Sequence, residues 1–298
     1  MTYPRVAAVV PTYNRWCKTQ RFLKHFMGQT YGALTIVVVD ASSPDGTAER
    51  IQQDYGEVTV LQVDDQQFWA GATNAGVRYA LNQGYDYIFT INDDAVVAPD
   101  HVASMVDLAQ RYDADILGNR IDYLAIPGMI WALGTQLVWG TPKFLQLQYH
   151  GIPATDLSAD VLSQEMLAVD ALPGNGVLIH RCVFEQVGLY QDRFLPHYHA
   201  DSELILRAGR QGFQAYVAPR IVLQDDFAVE QKQQDLRSLA GLRYAFLNRK
   251  SHLYVFAIAY ILLRYCPWYA YLQTAYYLLK RLIGLSKGRP GSEGLSGS

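Results

Sequence analysis

Cysteine is scarce in this chain of 298 residues: Cys17, Cys182 and Cys266 are widely spaced and form no CxxC pair. That pattern argues against a disulfide framework and a structural zinc site, and it fits a reducing, cytosolic compartment. Positive charge is not in excess either, since 25 Lys and Arg against 28 Asp and Glu leave a formal charge of -3. Without a basic field or a local basic patch, nucleic acid is excluded as the expected partner. Long apolar runs are also missing. Leu253 to Leu263 carries no charge, but it is about half of the roughly twenty residues a spanning helix needs. The apolar stretch Val6 to Val10 is too short for the core of an export signal and leads into a polar loop, so no export is expected. A GxSxG elbow, a Walker A loop and an HExxH pair are absent, which removes the usual anchors of serine hydrolases, P-loop kinases and zinc proteases. No internal repeat is visible.

What is plentiful is the aromatic residue with a polar tip: 21 Tyr and 5 Trp, a type suited to sugar faces and membrane interfaces. The order of elements is equally informative. Apolar runs at Val6–Val10 and Leu34–Val39 read as buried parallel strands, and the stretch Cys17–Met27 between them has helical spacing with Phe22, Leu23 and Phe26 on one face. A third strand is expected at Val58–Val63, a helix at Gly71–Asn82 and a strand at Tyr87–Ile91. Such alternation predicts an α/β fold with a doubly wound, mostly parallel sheet. Ligands bind such sheets beyond the carboxyl ends of the strands. Here those ends carry Pro11-Thr12-Tyr13, Asp40 and Asn92-Asp93-Asp94, so the first hundred residues converge on one crevice. Further along, strands are expected at Ile116–Gly118, Val177–Ile179 and Ala215–Ala218, a helix at 201–211, and aromatic hairpins around Trp131 and Trp139.

Six motifs in order carry a specific likeness: Val9 to Arg15 (VVPTYNR), Val38-Val39-Asp40 with its SSPDGT turn, Phe68 to Gly76 (FWAGATNAG), Asn92-Asp93-Asp94, Pro173 to Arg181 (PGNGVLIHR), and Asp201 to Gly212. Over roughly residues 5–226 the chain resembles the family 2 glycosyltransferases of the GT-A fold, in particular their bacterial rhamnosyltransferase-like group. The resemblance implies inverting, metal-dependent transfer of one sugar from a nucleotide-sugar donor, UDP- or dTDP-linked, to a glycan or lipid-linked saccharide acceptor. It also implies that Pro11, Thr12, Tyr13 and Arg15 line the nucleotide pocket and that Asp40 accepts a hydrogen bond from the base. A carboxylate at a strand end can accept the imide N–H of a pyrimidine, and it can equally cap the following turn. Gly71, Asn74 and Gly76 match the family's donor loop, where absent side chains admit ribose and diphosphate to the backbone. Trp69 either stacks on a sugar or base or serves as a core indole.

By the same resemblance Asp94 binds a divalent ion, Mn²⁺ or Mg²⁺, while Asn92 or Asp93 contacts the ribose side. Asp201 matches the general base, with Glu203 the next acidic position. Two departures stand out. Ala200 replaces the family's Glu before the base, and the stretch Val222-Leu223-Gln224-Asp225-Asp226 lacks the His that completes the metal shell in many relatives. A hard ion accepts carboxylate, so Asp225 or Asp226 could take that place. His197 and His199 either contact the acceptor or are ordinary surface histidines. No Gln-x-x-Arg-Trp stretch is present, which argues against a processive synthase.

Two rivals remain at this point. A nucleotidyltransferase shares the sheet and a metal carboxylate but opens with a Gly-rich basic loop that is missing here. A non-catalytic nucleotide-sugar or glycan-binding protein draws its support from Ala200 and Gln224. The expected organisation is a catalytic domain over 1–228, with a nucleotide-binding half to residue 100 and an acceptor-binding half from 101, then a helical extension over 229–286 and a disordered tail over 287–298. The extension mixes Trp, Tyr and Leu with Lys280 and Arg281. It reads either as a helix pair lying on the cytoplasmic membrane surface or as helices packed on the domain.

Overall fold

The computed structural model describes residues 3–141, 143–226, 238–251 and 253–286. The tail expected over 287–298 and the boundary expected at 228–229 lie outside the described residues. Two compact units are present, one of residues 1–136 with 147–229 and one of residues 137–146 with 230–298.

The first unit is built on one twisted sheet. Its strands are β1 (Val6–Thr12), β2 (Leu34–Asp40), β3 (Thr59–Gln62), β4 (Tyr87–Thr90), β5 (Ala95–Val97), β6 (Ile116–Tyr123) and β7 (Ile130–Ala132), followed after a hairpin by later strands. That hairpin is β8 (Thr135–Leu137) with β9 (Leu145–Leu147), and the sheet resumes with β10 (Leu167–Val169), β11 (Val177–His180) and β12 (Ala215–Asp225). The spatial order is β10-β12-β6-β11-β4-β1-β2-β3, with β5 on β12 and β7 on β6. β1, β2, β3 and β4 pair in parallel and β6 pairs in parallel with β12, whereas β11 runs antiparallel between β4 and β6. The sheet is therefore mixed but mostly parallel.

Helices cover both faces: α1 (Trp16–Phe26), α2 (Thr47–Asp54), α3 (Phe68–Asn82), α4 (His101–Arg111), α5 (Ala159–Ser163), α6 (Arg181–Val187) and α7 (Ala200–Gly209). The apolar stripe read in the sequence of α1 is the buried one. Phe22 stacks on Phe26 at 4.8 Å and Phe26 on Phe89 at 6.3 Å, which places α1 over β4. Truncating one such ring to Ala costs about 3–5 kcal/mol. On the opposite side α3 lies against β1 and β2, and it comes so close that a Cβ on Gly76 would run into Val9 and Val39.

Three features depart from the sequence reading. β12 does not stop at Ala218 but continues to Asp225, with a register shift between Ala218 and Val222. Pro219 has no N–H to give the ladder, and a bulge at that point lets the strand go on. Helices α2 and α4 were not expected. α4 turns His101 inward, where burial lowers its pKa to about 4 despite a 3.2 Å bond to Asn119. Residues 137–146, expected in the acceptor half, belong to the second unit.

That second unit holds α8 (Leu239–Leu247), α9 (Val255–Tyr265) and α10 (Tyr271–Ser286). Ser238 caps α8, accepting from Gly241 N at 3.0 Å. Ala257, Ile261, Tyr265, Ala270 and Thr274 are buried. The segment 137–146 is held here by Gly140 N donating to Thr274 Oγ1 at 2.8 Å and by Trp139 stacked on Phe144 at 5.2 Å.

Candidate active site

At the C-terminal ends of β1 and β4 two adjacent carboxylates meet different fates. Asp93 is fully buried and saturated. Its Oδ2 accepts from Thr12 Oγ1 and Thr19 Oγ1, each at 2.7 Å. Its Oδ1 accepts from Arg15 Nε at 2.6 Å and from Arg15 Nη2. Asp93 thus locks the first turn of α1 onto the ends of β1 and β4. Asp94 is instead approached by long side chains, Arg15 Nη2 at 3.0 Å and Lys18 Nζ at 3.8 Å, and by its own backbone N–H. Burial raises its pKa, against the pull of Arg15 and Lys18.

The end of β12 supplies the third carboxylate. Asp225 is in register with Ala95, the residue after Asp94, and is buried. Its pKa is pushed up to about 7 by burial and then by the negative charge of Asp94. Asp226, one residue on, pairs with Lys18 at 3.2 Å and Arg21 at 3.4 Å. Of the two residues left open by the sequence, Asp225 is the one electrostatically coupled to Asp94. Asp94 and Asp225 are hard oxygen donors of the kind that suits a divalent cation such as Mg²⁺ or Mn²⁺.

One short segment ties these pieces together. Asn175 Oδ1 accepts from Asn92 N at 2.9 Å, and its amide nitrogen donates to Asp225 Oδ2. Next to it, Gly174 N donates to Asp201 Oδ2 at 2.8 Å. Gly176 follows with φ of +79°, and any side chain there would collide with Asn119. The turn that presents Gly174 and Asn175 therefore needs glycine on two counts. Asn175 was not among the site residues expected from sequence, although it stands inside a motif that was.

Asp201 lies in the first turn of α7, half-buried, with Oδ1 accepting from Ser202 N at 2.8 Å. Glu203, the next acidic position, is fully buried and held by Arg207 at 3.0 Å, while Arg207 also donates to the carbonyl of Leu189 at 2.7 Å. Its carboxylate is part of the fold, which leaves Asp201 as the acid open to a substrate. His199 adopts φ of +69° just before α7, and its carbonyl accepts from Glu203 N at 2.9 Å.

The remaining expected donor residues divide. Trp69 reaches the crevice, donating from Nε1 to Asn92 Oδ1 at 3.0 Å and meeting Tyr190 edge to face at 5.4 Å. Tyr13 is exposed, one residue past the end of β1. Pro11 is half-buried within β1 itself. Asp40, at the end of β2 opposite Thr12, is buried and accepts from Ser43 N at 3.0 Å and from Ser43 Oγ, so it caps its own turn. Burial raises its pKa.

Gly71, Asn74 and Gly76 call for correction. They form no loop but lie buried within α3. The Asn74 amide exchanges two 2.9 Å bonds with the backbone of Tyr190 and a third, at 3.0 Å, with Asp192. Its polar atoms are spent joining α3 to the segment before α7.

The matches to known proteins agree with this fold. The family model "Glycosyl transferase family 2" matches residues 7–158. The glucosyl-dolichyl phosphate glucuronosyltransferase of Haloferax volcanii is 26% identical over 201 residues, covering 62% of this chain and 56% of that protein. The undecaprenyl-phosphate mannosyltransferase of Micrococcus luteus is 26% identical over 165 residues, covering 52% of this chain and 64% of that protein. This chain thus spans less than two thirds of either relative's length. Among solved structures, GalNAc-T7 with UDP, GalNAc and Mn²⁺ aligns with a TM-score of 0.62 at 15% identity, covering 85% of this chain and 50% of that one. Mannosyltransferase PcManGT from Pyrobaculum calidifontis, in complex with GDP-Man and Mn²⁺, aligns at 0.56 and 18% identity, covering 94% and 75%. Both likenesses show the GT-A fold. Since the family model spans about half of the chain, from β1 through the hairpin and beyond, this protein belongs to glycosyl transferase family 2.

Proposed function

We propose that this protein performs a single, inverting, metal-dependent transfer of a sugar from a UDP- or dTDP-linked donor to a glycan or lipid-linked saccharide. The observation that carries the reading is that the Gly174-Asn175 turn holds both Asp201 and Asp225, and that Asp225 in turn feels the charge of Asp94. The motif order favours the rhamnosyltransferase-like group within the family.

In this reading the acceptor hydroxyl oxygen attacks the anomeric carbon while its proton passes to a carboxylate oxygen of Asp201. The bond from that carbon to the diphosphate breaks, and the nucleoside diphosphate leaves with the electron pair, inverting the configuration. Asp94 and Asp225 would hold the ion, which supplies positive charge against the departing diphosphate. Each oxygen of Asp201 accepts one backbone N–H, Oδ2 from Gly174 and Oδ1 from Ser202, and keeps a second lone pair for the acceptor proton. Tyr13, Arg15 and Asp40 line the nucleotide side, and Trp69, fixed by Asn92, offers its ring to a sugar or base. Arg15 already neutralises Asp93, so its remaining capacity is directed to Asp94 and the phosphates.

The acceptor side is supported by two relatives whose names carry lipid phosphates, glucosyl-dolichyl phosphate in one and undecaprenyl phosphate in the other. A peripheral position on the cytoplasmic membrane face fits such an acceptor, and the exposed aromatic residues of the second unit support it. No helix among the described residues is long and apolar enough to cross a membrane. A non-catalytic sugar-binding role is the second reading, favoured only by Ala200 and Gln224.

Calorimetry with UDP and dTDP, each with and without Mn²⁺, tests the donor site on the wild type and on Asp94→Ala. Metal-dependent binding of one nucleotide that Asp94→Ala abolishes is the expected result. Absence of binding by either nucleotide under every condition would overturn the proposal.

A further inference from the structure

At the opposite edge of the same sheet, where β4 and β6 begin, three side chains of different chemistry meet. His180 Nδ1 lies 3.0 Å from Cys182 Sγ, Cys182 Sγ lies 3.3 Å from Asp115 Oδ1, and His180 Nδ1 lies 3.8 Å from the same carboxylate oxygen. Among the described residues these form a group able to hold a metal ion, one ligand atom from each. We propose that Asp115, His180 and Cys182 form a second metal site, selective for Zn²⁺ or a similar borderline ion, separate from the oxygen site at Asp94.

Distances support the assignment. Tetrahedral zinc, with Zn–S near 2.3 Å and Zn–N or Zn–O near 2.0–2.1 Å, sets its ligand atoms roughly 3.3–3.6 Å apart. The observed triangle brackets that range, so only small side-chain adjustments are needed. The positions are also set by backbone. His180 N donates to the Asp115 carbonyl at 2.8 Å across the start of β6, and Arg181 N donates to the Asp86 carbonyl at 2.9 Å. Cys182 then follows in the first turn of α6, with its N–H directed to His180 Nδ1 at 3.4 Å. That contact suits the tautomer with an acceptor Nδ1, the form that binds metal. The His180 ring is steadied by Tyr87, edge to face at 5.0 Å.

The surroundings favour a cation over a reactive thiol. Cys182 is pushed up to about 11 by burial and by the Asp115 carboxylate, with Glu185 adding to it. A nucleophilic cysteine needs the reverse. Arg181 is the nearby cation, and it is paired with Glu185 at 2.8 Å. Each ligand is part-exposed, His180 at 33% and Asp115 at 39% of the side chain, which leaves room for solvent as the fourth ligand. Bound metal displaces the thiol proton, so affinity rises with pH. The site escapes a reading by cysteine spacing because Asp115 stands far from the His-x-Cys pair in the chain.

Cobalt titration of the full chain tests the proposal. Co²⁺ bound to thiolate gives a sulfur-to-metal charge-transfer band that an oxygen-only site does not. The expected result is such a band saturating at one equivalent, bleached by Zn²⁺, retained in Asp94→Ala and Cys17→Ser, and lost in Cys182→Ser. Asp115→Asn should weaken Zn²⁺ binding by at least about tenfold, the lower end of what even outer-shell losses cause. No thiolate band in the wild type, or a band that survives Cys182→Ser, would overturn the assignment.

Discussion

The ends of β1 and β2 and the ends of β4 and β12 lie along one crevice, yet they use their polar groups in opposite ways. Towards β1 and β2 the acids are consumed by neighbours: Asp93, which follows β4 but turns to Thr12, Thr19 and Arg15, and Asp40, held by Ser43. At β4 and β12, burial raises the pKa of both Asp94 and Asp225, the charge of Asp94 adds to the effect on Asp225, and Asp201 is tied to Gly174, the neighbour of the Asn175 that holds Asp225. Adjacent residues of one motif, Asp93 and Asp94, thus belong to different regimes. What separates them is how many donors reach each oxygen. A saturated carboxylate stabilises the fold, while an unsaturated one is available to an ion, a proton or a substrate.

The sharpest way to break that contrast is to remove the charge from each member of the pair in turn. Asp93→Asn leaves the Arg15 guanidinium without its buried partner, and a broken pair of this kind costs about 3 kcal/mol, the low end of the usual range because Arg15 is partly exposed. Asp94→Asn should leave stability unchanged or slightly higher, since it relieves repulsion with Asp225. Urea unfolding of the two variants measures both. Equal losses would show that the division between a structural and a functional acid is wrong.

Asp201→Asn comes next in size. Turnover should fall by roughly a hundredfold, about 2.7 kcal/mol, because the amide cannot take the acceptor proton. Donor affinity should hold, while the unfolding midpoint should fall slightly, because the amide has one acceptor oxygen for the two backbone N–H groups, of Gly174 and Ser202, that the carboxylate satisfies. Steady-state kinetics beside nucleotide calorimetry reads both quantities. A collapse of donor affinity with little change in turnover would move Asp201 out of the base role and into donor binding.

Much of this division lay beyond the sequence for a definite reason. Strands β1, β2 and β4 and helix α1 were legible because their apolar spacing is local and regular. The crevice followed from where those strands end. By contrast, which member of Asn92-Asp93-Asp94 is saturated depends on Thr12 and Thr19, contacts made across the sheet and invisible to spacing. Asn74 illustrates the same limit. Its motif pointed to a donor loop, whereas helix α3 turns its amide to the backbone of Tyr190. The choice between Asp225 and Asp226 became readable only with the continuation of β12 past Pro219, where alternation puts the two side chains on opposite faces.

The same question, which groups the fold consumes and which it leaves outward, applies to apolar residues in the second unit. Ile261, Tyr265 and Thr274 are buried within it, while Trp268, Leu272, Tyr276 and Leu279 are more than half exposed. Leu272, Tyr276 and Leu279 follow at helical spacing on one face of α10, with Lys280 beside Tyr276. An apolar stripe with Trp and Tyr at its start and a cation near its end is what an interfacial helix presents to lipid. Replacing Trp268 and Leu272 together by Ser should reduce binding to anionic vesicles by about tenfold, since side chains at an interface leave water only in part. The unfolding midpoint should not move, because neither side chain is buried. Vesicle co-sedimentation of wild type and double variant decides the matter: equal binding by both, or none by the wild type, would mean that this stripe is not directed at lipid.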